Sequence, residues 1–223
     1  MNFIKYITAI LLSLQPPFAD KETWEDRTSR METVAVAIDD ASSKSTCSEK
    51  YDVKDCQKIW PGDKKELALL LVTQGYFESK FAKNVHEGKC KPYECDSYRK
   101  NGNIVHRARS LWQIQKTGLV TREEYEKMKS SSQDSTTLSA NVAVRYLLTG
   151  MKSCKTIRGA LAVYTGVKVC TWSGVAPREA FYKKISGMSD EQVFAAADAR
   201  EMKYRAKVDA VFIKNNKDKK EKK

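Results

Sequence analysis

The sequence contains no apolar run near the ~20 residues that a membrane-spanning helix requires; its most apolar stretch, 6–14, is far shorter. None of its ten glycines falls in the spacing that cradles a nucleotide phosphate. There is no internal repeat, no tight Cys-x-x-Cys pair, and no basic helix interleaved with aromatics. These absences argue against a transmembrane anchor, a nucleotide-driven enzyme and a specific nucleic-acid partner.

What the sequence has in excess is positive charge, a formal +12 at pH 7. Such a balance implies an anionic partner: nucleic acid, acidic lipid or an acidic wall polymer. Part of it lies in a Lys-rich run, 214–223, that reads as a solvated tail. At 223 residues with 41% hydrophobic content, one well-filled domain is expected.

The start, Met1-Asn2-Phe3-Ile4-Lys5, the apolar stretch 6–14 and Pro17-Phe18-Ala19 have the layout of an export signal over 1–19. An ordinary N-terminal helix is the alternative. Six cysteines, an even number, fit an oxidising compartment and therefore an exported chain. They fall in close pairs, and nearest-neighbour bonding (Cys47 with Cys56, Cys90 with Cys95, Cys154 with Cys170) is the expectation among about 15 connectivities.

Along the chain, Met31, Val34, Ala35 and Ile38 mark an amphipathic helix over 24–41. With the loop between Cys47 and Cys56 it makes an N-terminal unit, 20–60. Asp63 is a cap for a strongly apolar helix over 64–79. Helical periodicity is then lost until about residue 105, where a disulfide-pinned loop or small hairpin turning at Asn101-Gly102 is expected. Thr121-Arg122-Glu123-Glu124 opens a short helix by a capping box. Further helices are expected over 138–148, ended by Gly150, and over 156–164; 170–177 reads as irregular. Ser189-Asp190-Glu191-Gln192 begins a last helix to about 213, so 187–223 forms a C-terminal helix and tail. The fold class is mainly α.

On the helix 64–79, Leu67, Leu71, Gln74 and Glu78 share one face, so Glu78 extends an apolar stripe. A partly desolvated carboxyl holds its proton more readily, as a general acid requires. A solvated helix-end carboxylate is the alternative. His86, Cys90, Cys95 and His106 form a conceivable N2S2 set, but their spacing and the compartment favour oxidised cysteines; no metal or cofactor is expected.

Gly75-Tyr76-Phe77-Glu78-Ser79-Lys80-Phe81 resembles the Glu-Ser segment of the soluble lytic transglycosylases. Ser110-Leu111-Trp112-Gln113-Ile114-Gln115 resembles that family's Gly-Leu-Met-Gln-Ile motif, and Ala162-Val163-Tyr164-Thr165-Gly166 its Ala-Tyr-Asn-x-Gly motif. The helix over 141–148 resembles the one between the second and third motifs, and the likeness covers about 64–182.

The resemblance implies a lysozyme-like helical domain over 61–186 that cuts the β-1,4 bond after N-acetylmuramic acid in peptidoglycan glycan strands. Glu78 would be the catalytic acid/base and Tyr164 its hydrogen-bond partner. Ser79, Ser110 and Gln113 would line the substrate groove. Ser110 stands where the family has Gly, Trp112 where it has Met, and Thr165 where it has Asn. Trp112 is expected in the core, with sugar stacking as the alternative. The 32 positions from Glu78 to Ser110 exceed the family's usual gap, and the added length is the loop of Cys90 and Cys95. Glu87, Glu94 and Asp96 are the candidates nearby for a second carboxylate.

One carboxyl suffices where the sugar's own 2-acetamido group supports the reaction centre. The implied product then ends in a 1,6-anhydro ring; attack by water would make the same site a hydrolase. A non-catalytic wall-binding protein, with its basic surface on anionic polymer, is the reading from another class. The expected place is outside the cytoplasm, in wall remodelling, a secretion machine or a phage.

Overall fold

The computed structural model describes residues 2–14, 22–43, 60, 62–90, 97–106, 108–167 and 169–220. It is mainly helical, with short antiparallel strand pairs between the helices of its two halves of sequence. The elements are α1 (Phe3–Ser13), α2 (Trp24–Ser43), α3 (Lys64–Ser79), α4 (Lys83–His86), β1 (Ser97–Lys100), β2 (Asn103–His106), β3 (Ala108–Arg109) and β4 (Ile114–Gln115). There follow α5 (Arg122–Lys127), α6 (Gln133–Cys154), α7 (Ile157–Tyr164), a 3-10 turn (Ser173–Val175), α8 (Ala176–Ser186) and α9 (Asp190–Lys220).

Helix α3 is the centre of the fold because its middle is apolar all round; Leu67 to Gly75 is buried without a break. Asp63 accepts from the backbone of Glu66 while the Glu66 side chain returns to the backbone of Asp63, the reciprocal cap that starts the helix cleanly. It packs against α2 and α8, while α6 packs against α2 and α7.

Within the stretch expected as an export signal, residues 3–13 form α1, a helix that either expectation for this stretch would give; 15–19 lie outside the described residues. Tyr6, Ile7 and Leu11 are fully buried, and the helix lies against α2 and α9. No helix among the described residues is long and apolar enough to cross a membrane.

Several elements follow the sequence closely. The hairpin β1–β2 turns at Asn101 and Gly102, both with positive φ, and pairs Lys100 with Asn103. Thr121 and Glu124 make the expected capping box of α5. Cys154 and Cys170 are bonded, and Cys90 is in a disulfide as well. Cys47, Cys56 and Cys95 lie outside the described residues.

Others depart from it. Helix α6 begins at a Ser132 cap and runs to Cys154, so Gly150 sits inside the helix and does not end it. The glycine is there for proximity: a Cβ at 150 would meet Ala160 Cα at 2.7 Å, where α6 crosses α7. Residues 170–172 are irregular as expected, but a 3-10 turn follows at Ser173–Val175 and runs into α8 at Ala176, neither of which the sequence pattern marks. Helix α9 continues past 213 to Lys220.

His86 illustrates how burial sets charge here. Its ring is 3% exposed, its Nε2 is 2.8 Å from Thr136 Oγ1, and its Nδ1 has no partner. Burial, assisted by the charge of Arg30, pushes its pKa down to about 3. With Cys90 oxidised and His86 turned to Thr136, neither is free for the zinc set considered above.

The folded chain therefore binds fewer protons than the unfolded one between pH 6.5 and about 3. Stability is highest above 6.5 and falls with pH by up to roughly 1.4 kcal/mol per pH unit through that window. In urea titrations of wild type and His86→Gln at pH 7 and pH 5, the wild type should lose the more of its pH 7 stability, by about 2 kcal/mol. Equal losses would show that His86 does not titrate in this way.

Candidate active site

Glu78 lies in the last turn of α3. The helix ends on Lys80, which takes the left-handed conformation (φ 50°), and Phe81 takes it too (φ 52°). Left-handed backbone is unfavourable for side chains with a Cβ, so two in succession need support from packing. Phe81 is fully buried and rests on Gly75, where a Cβ would come within 2.5 Å of its ring. Arg30 of α2 donates to Phe81 O at 2.7 Å.

Ser79 belongs to this turn. Its hydroxyl donates to Gly75 O at 3.0 Å and accepts from the Phe81 N–H at 3.1 Å. It is absent from the lining of the cleft described next.

That cleft has a volume of about 250 Å³. Glu78 enters it from α3, Gln113 from the β3–β4 loop, Tyr146 from α6, Tyr164 from the end of α7, and Arg178 from α8. Three of the residues expected from the sequence, Glu78, Gln113 and Tyr164, thus meet in one concavity. Among the described residues, Glu78 is the one carboxylate on its lining. The side chain is 21% exposed, which fits the half-buried position its apolar stripe implied.

Ser110 is elsewhere. It lines an adjoining cavity of about 180 Å³ with Val85, Cys90, Arg109 and Met128, and Gln113 is shared between the two. Ser110 (φ 64°) and Gln113 (φ 47°) both have left-handed backbone, and Gln113 Nε2 donates to Ser110 O at 2.9 Å. Trp112, between them, is fully buried and donates from Nε1 to Leu71 O at 2.9 Å, so it is core.

Tyr164 does not meet Glu78 as the resemblance implied. Its hydroxyl donates to Trp112 O at 2.8 Å, which ties α7 to the β3–β4 loop. Burial and the nearby Glu78 charge push its hydroxyl pKa well above the usual value. The partner of Glu78 is Arg178, with Nη1 at 2.7 Å from Oε1. The same Nη1 donates to Gln74 Oε1. Arg178 carries no motif in the sequence, and Tyr146 falls in the family-like helix 141–148 without being singled out there. Tyr146 is tilted against Tyr164, 5.7 Å between ring centroids, and hydrogen-bonds to Thr117 and Gln115 O.

Of the suggested second carboxylates, Glu87 pairs with Lys89 at 2.9 Å and does not line the cleft. Glu94 and Asp96 lie outside the described residues.

Chemically, the arrangement offers one carboxyl, one guanidinium, two amides (Gln113 and Gln115) and two phenols around a space large enough for part of a sugar. A single acid/base group flanked by hydrogen-bonding and aromatic walls suits bond cleavage in a neutral, hydroxyl-rich substrate.

Because Tyr164 holds a backbone carbonyl, Tyr164→Phe should destabilise the fold by about 1 kcal/mol in urea unfolding. No change in stability would mean that the Trp112 carbonyl needs no such donor. No family model, curated protein or solved structure matches this chain.

Proposed function

We propose that the chain is a peptidoglycan-cleaving lytic transglycosylase with Glu78 as its single acid/base. The observation that supports this reading is the convergence of Glu78, Gln113 and Tyr164, one from each of three family-like segments, on a cleft of about 250 Å³. The positive charge and the disulfide are compatible with an exported protein acting on an anionic wall.

In the proposed reaction a glycan strand lies in the cleft with N-acetylmuramic acid before the scissile bond. Protonated Glu78 gives its proton to the glycosidic oxygen as the C1–O bond breaks, and the 2-acetamido group supports the electron-poor C1. The Glu78 carboxylate then takes the proton from that sugar's C6 hydroxyl, whose oxygen bonds to C1. The products are a free 4-hydroxyl on one fragment, a 1,6-anhydro ring on the other, and Glu78 protonated again. Gln113 is placed to accept or donate at an acetamido group. If water takes the place of the C6 hydroxyl, the same acid and base yield a reducing end and the protein is a muramidase.

Digestion of purified peptidoglycan, followed by mass spectrometry, tests the reading and separates these products. The expected fragments carry anhydro ends, lighter by one water than the hydrolytic ones. Glu78→Gln should lower the rate by about 10²–10⁴. Wall binding without fragment release, unchanged in the variant, would instead identify a non-catalytic wall-binding protein.

A further inference from the structure

Glu78 is the last residue but one of α3, and a glutamate there has rotatable bonds enough to point its carboxyl several ways. A carboxyl that first gives and then takes a proton must keep one oxygen aimed at the reacting atoms through both steps. Tyr164 does not hold it, since its hydroxyl is on Trp112 O. Resting on the glycan-cleaving reading above, we infer that Arg178 is the positioning residue of Glu78: it binds Oε1 and leaves Oε2 to exchange the proton with substrate.

The geometry around Arg178 is built for a fixed guanidinium. Nη1 donates to Glu78 Oε1 at 2.7 Å and also to Gln74 Oε1, one turn earlier on the same face of α3. The group is 5.2 Å from the centre of the Phe77 ring, and its side chain is only 16% exposed. Three residues on, Phe181 stacks on Tyr76 at 4.7 Å and meets Phe77 edge-on at 5.7 Å. Arg178 and Phe181 share a face of α8, so the aromatic contacts set the height at which the guanidinium meets Glu78.

Gln74 is fully buried, and its Nε2 has no partner. A buried amide leaves a donor unmet only at a cost to stability. Its carbonyl end nevertheless faces the guanidinium, an arrangement that serves Arg178 at the expense of the amide. An ordinary surface ion pair would have neither the second acceptor nor the aromatic floor.

The role differs from substrate binding in what it moves. Arg178→Met removes the charge and keeps most of the volume, whereas Arg178→Lys keeps the charge without the planar fork. Wild type and both variants are compared on purified peptidoglycan across pH 4–9, with thermal unfolding as the check on folding. Arg178→Met should lose about a hundredfold in kcat with little change in KM. Arg178→Lys should recover part of the rate, again with little change in KM. Wild-type activity with kcat in Arg178→Met within threefold, or a rise in KM alone, overturns the positioning role and leaves the glycan-cleaving reading standing. No fragment release by wild type overturns both.

Discussion

The hydrogen bond from Arg30 Nη1 to Phe81 O at 2.7 Å ties to α2 the turn on which the rest of the site depends, beside the Ser79 hydroxyl that holds it from within. Lys80 and Phe81 both occupy left-handed backbone, at a cost of about 1–3 kcal/mol each. Burial of Phe81 against Gly75 and the charged donor on its carbonyl offset that cost. The turn ends α3 abruptly, and an abrupt end keeps Glu78 from fraying into solvent.

Arg30 can do this because it is itself fixed. Glu22, fully buried, accepts from Arg27 at 3.0 Å and from Arg30 Nε at 2.9 Å. Burial pushes the Glu22 carboxyl up, but the charges and hydrogen bonds of Arg30 and Arg27 outweigh it and hold the pKa below the usual range. Tyr204 of α9 donates to Glu22 O, and its ring lies against Trp24. A buried charge cluster of this kind adds little net stability over apolar packing, yet losing one member strands the others. Its effect here is to join α2, α9 and the end of α3 in one arrangement.

The opposite wall of the cleft is organised by different means. Tyr164 on Trp112 O and Trp112 on Leu71 O tie α7, the β3–β4 loop and the middle of α3 in series. The disulfide between Cys154 and Cys170 spans the end of α6 and the segment leading into α8, which delivers Arg178. The carboxyl of Glu78 is thus on α3 itself, while the loop that carries Gln113 and the helix that carries Arg178 are each tied to α3.

Much of this was legible in the residues. The apolar stripe with Glu78 at its end, the cap at Asp63, the capping box at Thr121, the Asn101-Gly102 turn and the Cys154–Cys170 bond are local patterns, set by neighbours within a few positions or, for the cysteines, by pairing of the nearest. Gly150 misled, because a glycine that ends a helix and one that admits a neighbouring helix look the same in sequence. Likewise the left-handed Lys80, Phe81, Ser110 and Gln113 have no local signature, since packing overrides their preference. Arg178 was beyond reach for the plainest reason: it stands 100 positions from Glu78, on a helix whose pattern is weak, and an ion pair carries no periodicity. Sequence alone determined most of the helices and the half-buried place of Glu78, both properties of short stretches; which side chain pairs with that carboxyl is a matter of distance in space, and only the packing of α8 on α3 decided it.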